Sequence, residues 1–135
     1  MDASHLEQSL ATHRGASPER GAVSQAIAAT LNCAQSCAFC ADACLAEPEV
    51  ADLSRCIRLN LDCAEVCDLT GRMLSRQHEP DMQLLRGALE LCSKACDACA
   101  GECRRHAGRH RHCRLCMQAC LDCQRACNAL LGALG

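Results

Sequence analysis

Aromatic residues are almost missing from this chain of 135 residues: Phe39 is the single example, and there is no tryptophan or tyrosine. Single-stranded nucleic acids stack on aromatic faces, so we expect no nucleic-acid partner. Long apolar runs are missing as well, because no segment approaches the ~18 uninterrupted apolar residues that cross a bilayer. We therefore expect no membrane partner. With so few large side chains, alanine, leucine and cysteine have to form the core.

Targeting features are also missing at the start of the chain. Residues 1–7 have neither the basic region nor the apolar run of a secretory signal, and no twin-arginine pair precedes an apolar stretch. This pattern predicts a cytoplasmic protein, whose thiols are kept reduced. The formal net charge of −2 says little about partners.

Cysteine is the abundant residue, with 16 copies at helical spacing. Between Cys113 and Cys127 the cysteines lie three, four, three and four residues apart, the rhythm of a helix that buries one face. Three further rows keep this rhythm, one of them with Asn60 in the place of a cysteine. The four rows are Cys33, Cys37, Cys40 and Cys44; Cys56, Cys63 and Cys67; Cys92, Cys96, Cys99 and Cys103; and Cys113, Cys116, Cys120, Cys123 and Cys127.

Three prolines and one glycine divide the chain into helices. Pro18, Pro48 and Pro80 stand next to acidic or capping residues, which is typical of helix starts, and Gly108 suits a helix end with a tight turn. We predict helices at about 18–46, 49–77, 81–106 and 109–133, preceded by a short N-terminal helix or arm over residues 1–16. Residues 17–135 are predicted to form one domain.

Short loops between long helices force neighbouring helices to run antiparallel. The predicted fold class is therefore all-α: an antiparallel up-down-up-down four-helix bundle with a cysteine-lined core. Its cysteine rows lie toward one end, where His106, His110 and His112 are expected to form a mouth. At the other end the rows continue into an apolar plug of Val23, Ala26, Thr70, Leu74, Met82, Leu85, Leu89, Leu130 and Leu134.

Four rows of thiols that face one another predict a metal-binding core. Disulfides within one row are disfavoured, because thiols on one helix face rarely have the geometry of a bridge. Soft thiolates select Cu(I), zinc or iron–sulfur clusters. Zinc prefers separate sites of four ligands, and iron–sulfur cysteines usually come from loops. A continuous ladder rising ~1.5 Å per residue favours Cu(I), whose ions thiolates can bridge, with a capacity of multiple ions per chain near the number of thiols.

The alternatives are a zinc–thiolate buffer and an iron–sulfur or redox protein. A catalytic thiol needs a base and an orienting partner, and no such set stands out, so we expect a protein that is not an enzyme.

The spacings Cys33-x3-Cys37-x2-Cys40-x3-Cys44 and Cys92-x3-Cys96-x2-Cys99-x3-Cys103 resemble those of the bacterial copper storage proteins, especially the cytosolic branch. The row on the last helix and the three histidines share the resemblance, which covers all four helices. It implies a four-helix bundle that stores many Cu(I) ions, forms a homotetramer and admits metal at the histidine end.

Individual roles at the mouth stay open. His106 continues the row of Cys103 and is predicted as a ligand, although a histidine at a helix end also stabilises the helix dipole. His110 and His112 are less determined by the pattern. Asn60 either helps to bind metal or is only a polar break in its row.

The basic segment 104–114 is most simply a solvated turn. It could also attract a copper donor, either an acidic copper chaperone or an anionic complex of copper with a low-molecular-weight thiol.

Overall fold

The computed structural model describes all residues, 1–135, and contains only helices. They are α1 (Ala3–Ala11), α2 (Arg20–Leu45), α3 (Ser54–Ser75), α4 (Met82–His106) and α5 (Arg111–Leu134), with a 3₁₀ turn at Val50–Leu53. Helix α3 packs on α2 and α4, and α5 packs on α4 and returns to α2, so that four helices close a ring around one core. The predicted all-α bundle with a short N-terminal helix is confirmed. No helix combines the length and the hydropathy that a membrane crossing requires.

Local capping explains several helix ends. The Asp81 carboxylate accepts hydrogen bonds from the backbone N–H groups of Gln83 and Leu84 at 3.0 and 3.1 Å, which starts α4. Helix α3 starts later than the proline pattern indicated, because Val50–Leu53 forms a 3₁₀ turn that buries Leu53 completely. The connection between α2 and α3 therefore lies across the mouth end of the bundle.

The opposite end is closed by hydrocarbon. Its buried side chains are Val23, Ala26, Ile27, Leu74, Leu85, Leu89 and Leu130. Met82, the first residue of α4, is 39 % exposed and borders this end, where it lines a small cavity together with Val23, Leu74 and Leu85.

Thr30 and Thr70 separate the plug from the thiols. Both are fully buried, and their hydroxyls donate to the backbone carbonyls of Ile27 (2.9 Å) and Val66 (2.8 Å). Because both hydroxyl groups donate to backbone carbonyls, the threonine layer does not extend the row of metal-binding thiols.

Helices α2 and α3 approach each other closely at Gly71. A Cβ atom at this position would lie 2.9 Å from the Thr30 hydroxyl oxygen, so Gly71→Ala is expected to lower the free energy of unfolding by about 1–3 kcal/mol. Urea unfolding of the reduced, copper-free protein measures this. Gly87→Ala is the matched control, since its Cβ meets nothing and the helix should gain up to about 1 kcal/mol. Equal effects of the two substitutions would contradict the close approach.

Candidate metal centre

All sixteen thiols lie in the core of the bundle. None is in a disulfide, and none is more than 1 % exposed. Sulfur atoms from different helices approach closely: Cys33 lies 3.7 Å from Cys120, and Cys63 lies 3.8 Å from Cys96. An ion bonded to three sulfurs at about 2.3 Å holds them about 4.0 Å apart, and a tetrahedral ion holds them at about 3.8 Å. The thiols are therefore spaced to bind metal with little rearrangement.

The thiols form overlapping groups whose ligand atoms lie within 4.8 Å of one another. Cys33 and Cys63 belong to two groups, one completed by Cys67 and Cys96 and the other by Cys37 and Cys120. The second group shares two members with a third: Cys37, Cys99, Cys116 and Cys120. Shared members are what bridging thiolates require, whereas separate tetrahedral sites would each need four sulfurs of their own.

His112 is the histidine that reaches the thiols. Its Nδ1 lies 3.5 Å from the Cys40 sulfur, 3.6 Å from Cys113 and 4.0 Å from Cys44. Its Nε2 lies 3.1 Å from the Glu47 carboxylate. With the Nε2 proton donated to Glu47, Nδ1 keeps a lone pair directed at the three sulfurs, the usual arrangement of a metal-ligating histidine.

His110 lies beside His112 and contacts carboxylates but no sulfur. It is 7 % exposed, its Nε2 lies 3.0 Å from Glu49, and its Nδ1 lies 3.5 Å from Glu47. Its ring stacks on that of His112 with centroids 5.3 Å apart. The two stacked rings form an imidazole pair that lies between the carboxylates of Glu47 and Glu49 and the thiols.

His106 faces a carboxylate and not a sulfur. Its Nε2 lies 2.9 Å from Glu102, whose side chain is 7 % exposed and also pairs with Arg105 at 3.2 Å. The spacing from Cys103 had indicated His106 as the leading histidine ligand, but the structure places it outside the thiol cluster.

Three carboxylates complete the mouth: Glu47, Glu49 and Glu102. The four-residue spacing from Glu102 to His106 is a recognisable helical pair. Nothing in the sequence pattern indicated Glu47 or Glu49, because their position over the mouth depends on how the connection between α2 and α3 folds back.

Asn60 is completely buried among thiols. Its Oδ1 accepts from the Cys99 and Cys116 thiols at 3.1 and 3.2 Å, and its Nδ2 lies 3.7 Å from the Cys56 sulfur. The carboxamide oxygen therefore points into the row of sulfurs in the place of the missing cysteine.

Comparison with known proteins agrees with this geometry. The sequence model of the copper storage protein family matches residues 19–132. This chain belongs to the copper storage protein family. The matched range begins after α1 and covers the bundle except for the last two residues of α5.

Individual proteins are similar to this chain over most of their own length. A Streptomyces lividans copper storage protein, in a structure described as loaded with 10 copper equivalents, superposes with a TM-score of 0.91 at 46 % identity, covering 94 % of this chain and 98 % of that one. A second structure, described as a cytosolic copper storage protein from the same organism with five coppers, gives 0.83 at 51 % identity, covering 84 % and 95 %. A cysteine-rich protein of Bacillus subtilis (strain 168), YhjQ, described as uncharacterized, is 34 % identical over 104 residues, covering 77 % of this chain and 91 % of that protein.

The pKa values of the mouth thiols of this copper storage protein shift in opposite directions. Burial raises the pKa of Cys44 to about 11, and the neighbouring Cys56 thiolate adds to the rise. Burial, together with Cys56 and Cys44, also raises the pKa of Cys113. Hydrogen bonds with Cys103 and then Cys40 lower the pKa of Cys56 to about 3. Hydrogen bonds from neighbouring thiols therefore favour the thiolate form of Cys56, whereas burial favours the neutral forms of Cys44 and Cys113.

Alkaline pH is expected to destabilise the copper-free protein. The pKa of Cys44 is about 11 in the folded chain against 9.0 for an ordinary thiol, so the stabilisation by its neutral form is complete below pH 9.0. That contribution is lost as the pH rises through about 11. The Tm of the copper-free protein should fall across this window in an anaerobic thermal scan. The copper-loaded protein is the control, because its thiolates are already held by metal, and a flat Tm in the copper-free protein would contradict the assignment.

Proposed function

We propose that this protein stores Cu(I) in the cytoplasm and protects the cell from excess copper, holding many ions per chain on buried thiolates. The observation that carries the proposal is the overlap of the thiol groups, in which one sulfur serves two neighbouring groups. Cu(I) accepts two or three thiolates and leaves them free to bridge, so the core becomes a column of ions. Family membership and the copper-loaded relatives support the same function.

Loading is a ligand exchange without catalysis. Each arriving Cu(I) binds thiolates, and every thiol that was neutral releases its proton. The core presents thiols from all four helices in overlapping groups that suit metal binding. We therefore assign a storage role and no enzymatic one.

We propose as ligands all sixteen cysteines, with two further groups near the mouth. His112 supplies Nδ1 beside Cys40, Cys44 and Cys113. Asn60 supplies its carboxamide oxygen, because that oxygen already accepts from two thiols that would become thiolates. His106 and His110 line the entrance without touching a sulfur.

The unit that holds copper is residues 17–135, with residues 1–16 lying against it. The family resemblance supports a homotetramer, and the exposed side chains of Phe39 (70 %) and Leu45 (60 %) offer apolar surface for an interface between copies. Copper arrives from a copper chaperone or from a low-molecular-weight thiol.

An anaerobic titration of the reduced protein with Cu(I), against a coloured competing chelator, tests the function. We expect tight uptake of about ten or more ions per chain, since capacity should approach the number of thiols. Saturation at about four ions would instead indicate separate tetrahedral sites. Zinc buffering is the second candidate, because the observed sulfur spacing also suits tetrahedral zinc, and a parallel titration with Zn(II) distinguishes the two.

Replacing the histidine at the thiols should slow loading without emptying the store. His112→Ala removes one nitrogen ligand from the group of Cys40, Cys44 and Cys113, so we expect a slower first phase of Cu(I) uptake and a capacity lower by about one ion at most. Stopped-flow absorbance of the copper–thiolate bands measures both. His78→Ala, at the opposite end, is the control. A loss of several ions would show that His112 holds the column together and does not only admit copper.

A further inference from the structure

A surface cavity lies beside the mouth, between the 3₁₀ turn and the connection from α4 to α5. Its volume is about 300 Å³, and its walls include Asp52, Arg105, His106, Arg109 and His110. This size is at the lower end of the range of about 300–1,000 Å³ that small-molecule sites occupy. No thiol lines the cavity, so it is not itself part of the sulfur core.

Some of the charged groups at this cavity are paired: Glu49, which also lines it, binds His110, and Arg105 binds Glu102. Asp52 and Arg109 are exposed, and neither forms an ion pair with any residue. Arg105 adds a second cation whose side chain is 70 % exposed although it touches Glu102. Asp52 and Arg109 thus place one unpaired anion and one unpaired cation on the same concave surface, with Arg105 beside them. A ligand that carries both an ammonium and carboxylates would satisfy all of them.

The cavity adjoins the imidazole pair of His110 and His112. Its inner wall is His110, whose ring lies 5.3 Å, centroid to centroid, from that of His112. His112 in turn lies 3.5 Å from Cys40 and 3.6 Å from Cys113. A molecule held in the cavity by its charged groups could therefore place a short thiol arm at the imidazole pair.

We propose that this cavity binds a small peptide thiol that carries Cu(I), and that the ion passes from its sulfur to the mouth thiols. The inference rests on the proposed storage function and names the donor for it. Arg105 and Arg109 bind carboxylates of the donor, and Asp52 binds its ammonium group. In the transfer, a copper–sulfur bond to the donor breaks, and one to Cys40 or Cys113 forms. The proton displaced from the protein thiol goes to the donor thiolate, and neither copper nor sulfur changes oxidation state.

Uptake kinetics with two donors test the proposal. One donor is Cu(I) in excess glutathione, a tripeptide thiol with one ammonium and two carboxylates, and the other is Cu(I) in excess 2-mercaptoethanol, which has neither group. The test variant combines Asp52→Ser with Arg109→Ser. The control combines Asp122→Ser with Arg125→Ser, an exposed ion pair on α5, so that both variants keep the net charge. Circular dichroism and final capacity check that each variant is folded.

We expect the glutathione complex to load the wild type with saturable kinetics. The Asp52/Arg109 variant should load about tenfold more slowly at low donor concentration, because two charge-assisted contacts are lost. Its rate from 2-mercaptoethanol and its capacity should stay unchanged, as should all rates of the control variant. S-Methylglutathione keeps the charges but has no free thiol. It should inhibit loading from the glutathione complex and leave loading from 2-mercaptoethanol unchanged.

Three results would overturn the proposal. Equal slowing with both donors would show that the two side chains act on copper transfer in general. No slowing with either donor, or equal slowing in the Asp122/Arg125 control, would show that the cavity does not select the donor. In each of these cases the protein still fills with copper, so the storage function stands. A protein that loads from neither donor would overturn the storage function, and this inference with it.

Discussion

The copper-loaded protein is expected to unfold on the order of 30 °C or more above the copper-free protein, in anaerobic thermal scans of both forms. Copper bound in the core would join thiolates that come from all four helices, as at the layer where Cys33 lies 3.9 Å from Cys63, 4.0 Å from Cys96 and 3.7 Å from Cys120. Structural metal binding is worth on the order of 10 kcal/mol or more in small thiolate domains. The unfolded chain lacks the paired geometry, so most of this affinity stabilises the folded state.

The composition of the core explains why the Tm of the copper-loaded protein should exceed that of the copper-free protein by so much. Without metal, the centre of the bundle contains sixteen small thiols, and its large buried apolar side chains lie toward the ends, near Leu89 and Leu130 in the plug and at Leu53 by the mouth. A free thiol packs as a small hydrophobe and stabilises less than a leucine would.

Stepwise loading provides the control for this prediction. The Tm should rise with each addition of Cu(I) and level off at the capacity measured by titration. A Tm that stays constant while several ions bind tightly would mean that the ions lie at the surface and do not join the helices.

Sequence periodicity was sufficient for the part of the site that is built on regular helices. The α-helical repeat brings residues three and four positions apart to one face, so the four rows of cysteines could be placed inward without a structure. The order of the helices followed from the short connections, and the plug followed from extending the same rows.

The mouth was less predictable, because it is built where helices end. Spacing from Cys103 indicated His106, but that residue ends α4, and Glu102 one turn earlier binds its ring. His112 stands next to Cys113 in the first turn of α5 and reaches the thiols from there. Periodicity describes positions within a helix and not the direction of a side chain at its end.

The connection between α2 and α3 shows the same limit. Pro48 indicated a helix start close by, whereas the chain makes a 3₁₀ turn and begins α3 at Ser54. That turn buries Leu53 and brings Glu47 and Glu49 to the histidines. These contacts join residues more than 60 positions apart, and no local pattern encodes them.

Capacity should follow the number of thiols and not the number of four-thiol groups. Cys33, Cys63, Cys96 and Cys120 form one layer with one thiol from each helix, and replacing all four by serine is expected to lower the Cu(I) capacity by about four ions. A hydroxyl is a poor ligand for Cu(I), and serine keeps nearly the volume of cysteine. The anaerobic chelator titration measures the loss, and circular dichroism of the copper-free variant checks the fold.

Replacing a smaller set of thiols distinguishes a continuous copper–thiolate column from separate four-thiol sites. Cys67, Cys92 and Cys123 contact one another at 3.8–3.9 Å, and their replacement by serine should lower the capacity by about three ions if sulfurs bridge. With separate tetrahedral sites, the variant without Cys33, Cys63, Cys96 and Cys120 would lose about two ions, because no single four-thiol group contains all four of them. The variant without Cys67, Cys92 and Cys123 would then lose about one or two ions, because these three thiols share one group. Losses of about four and about three ions therefore indicate a continuous copper–thiolate column, and losses of only about one or two ions in each variant would favour zinc-like sites in the same bundle.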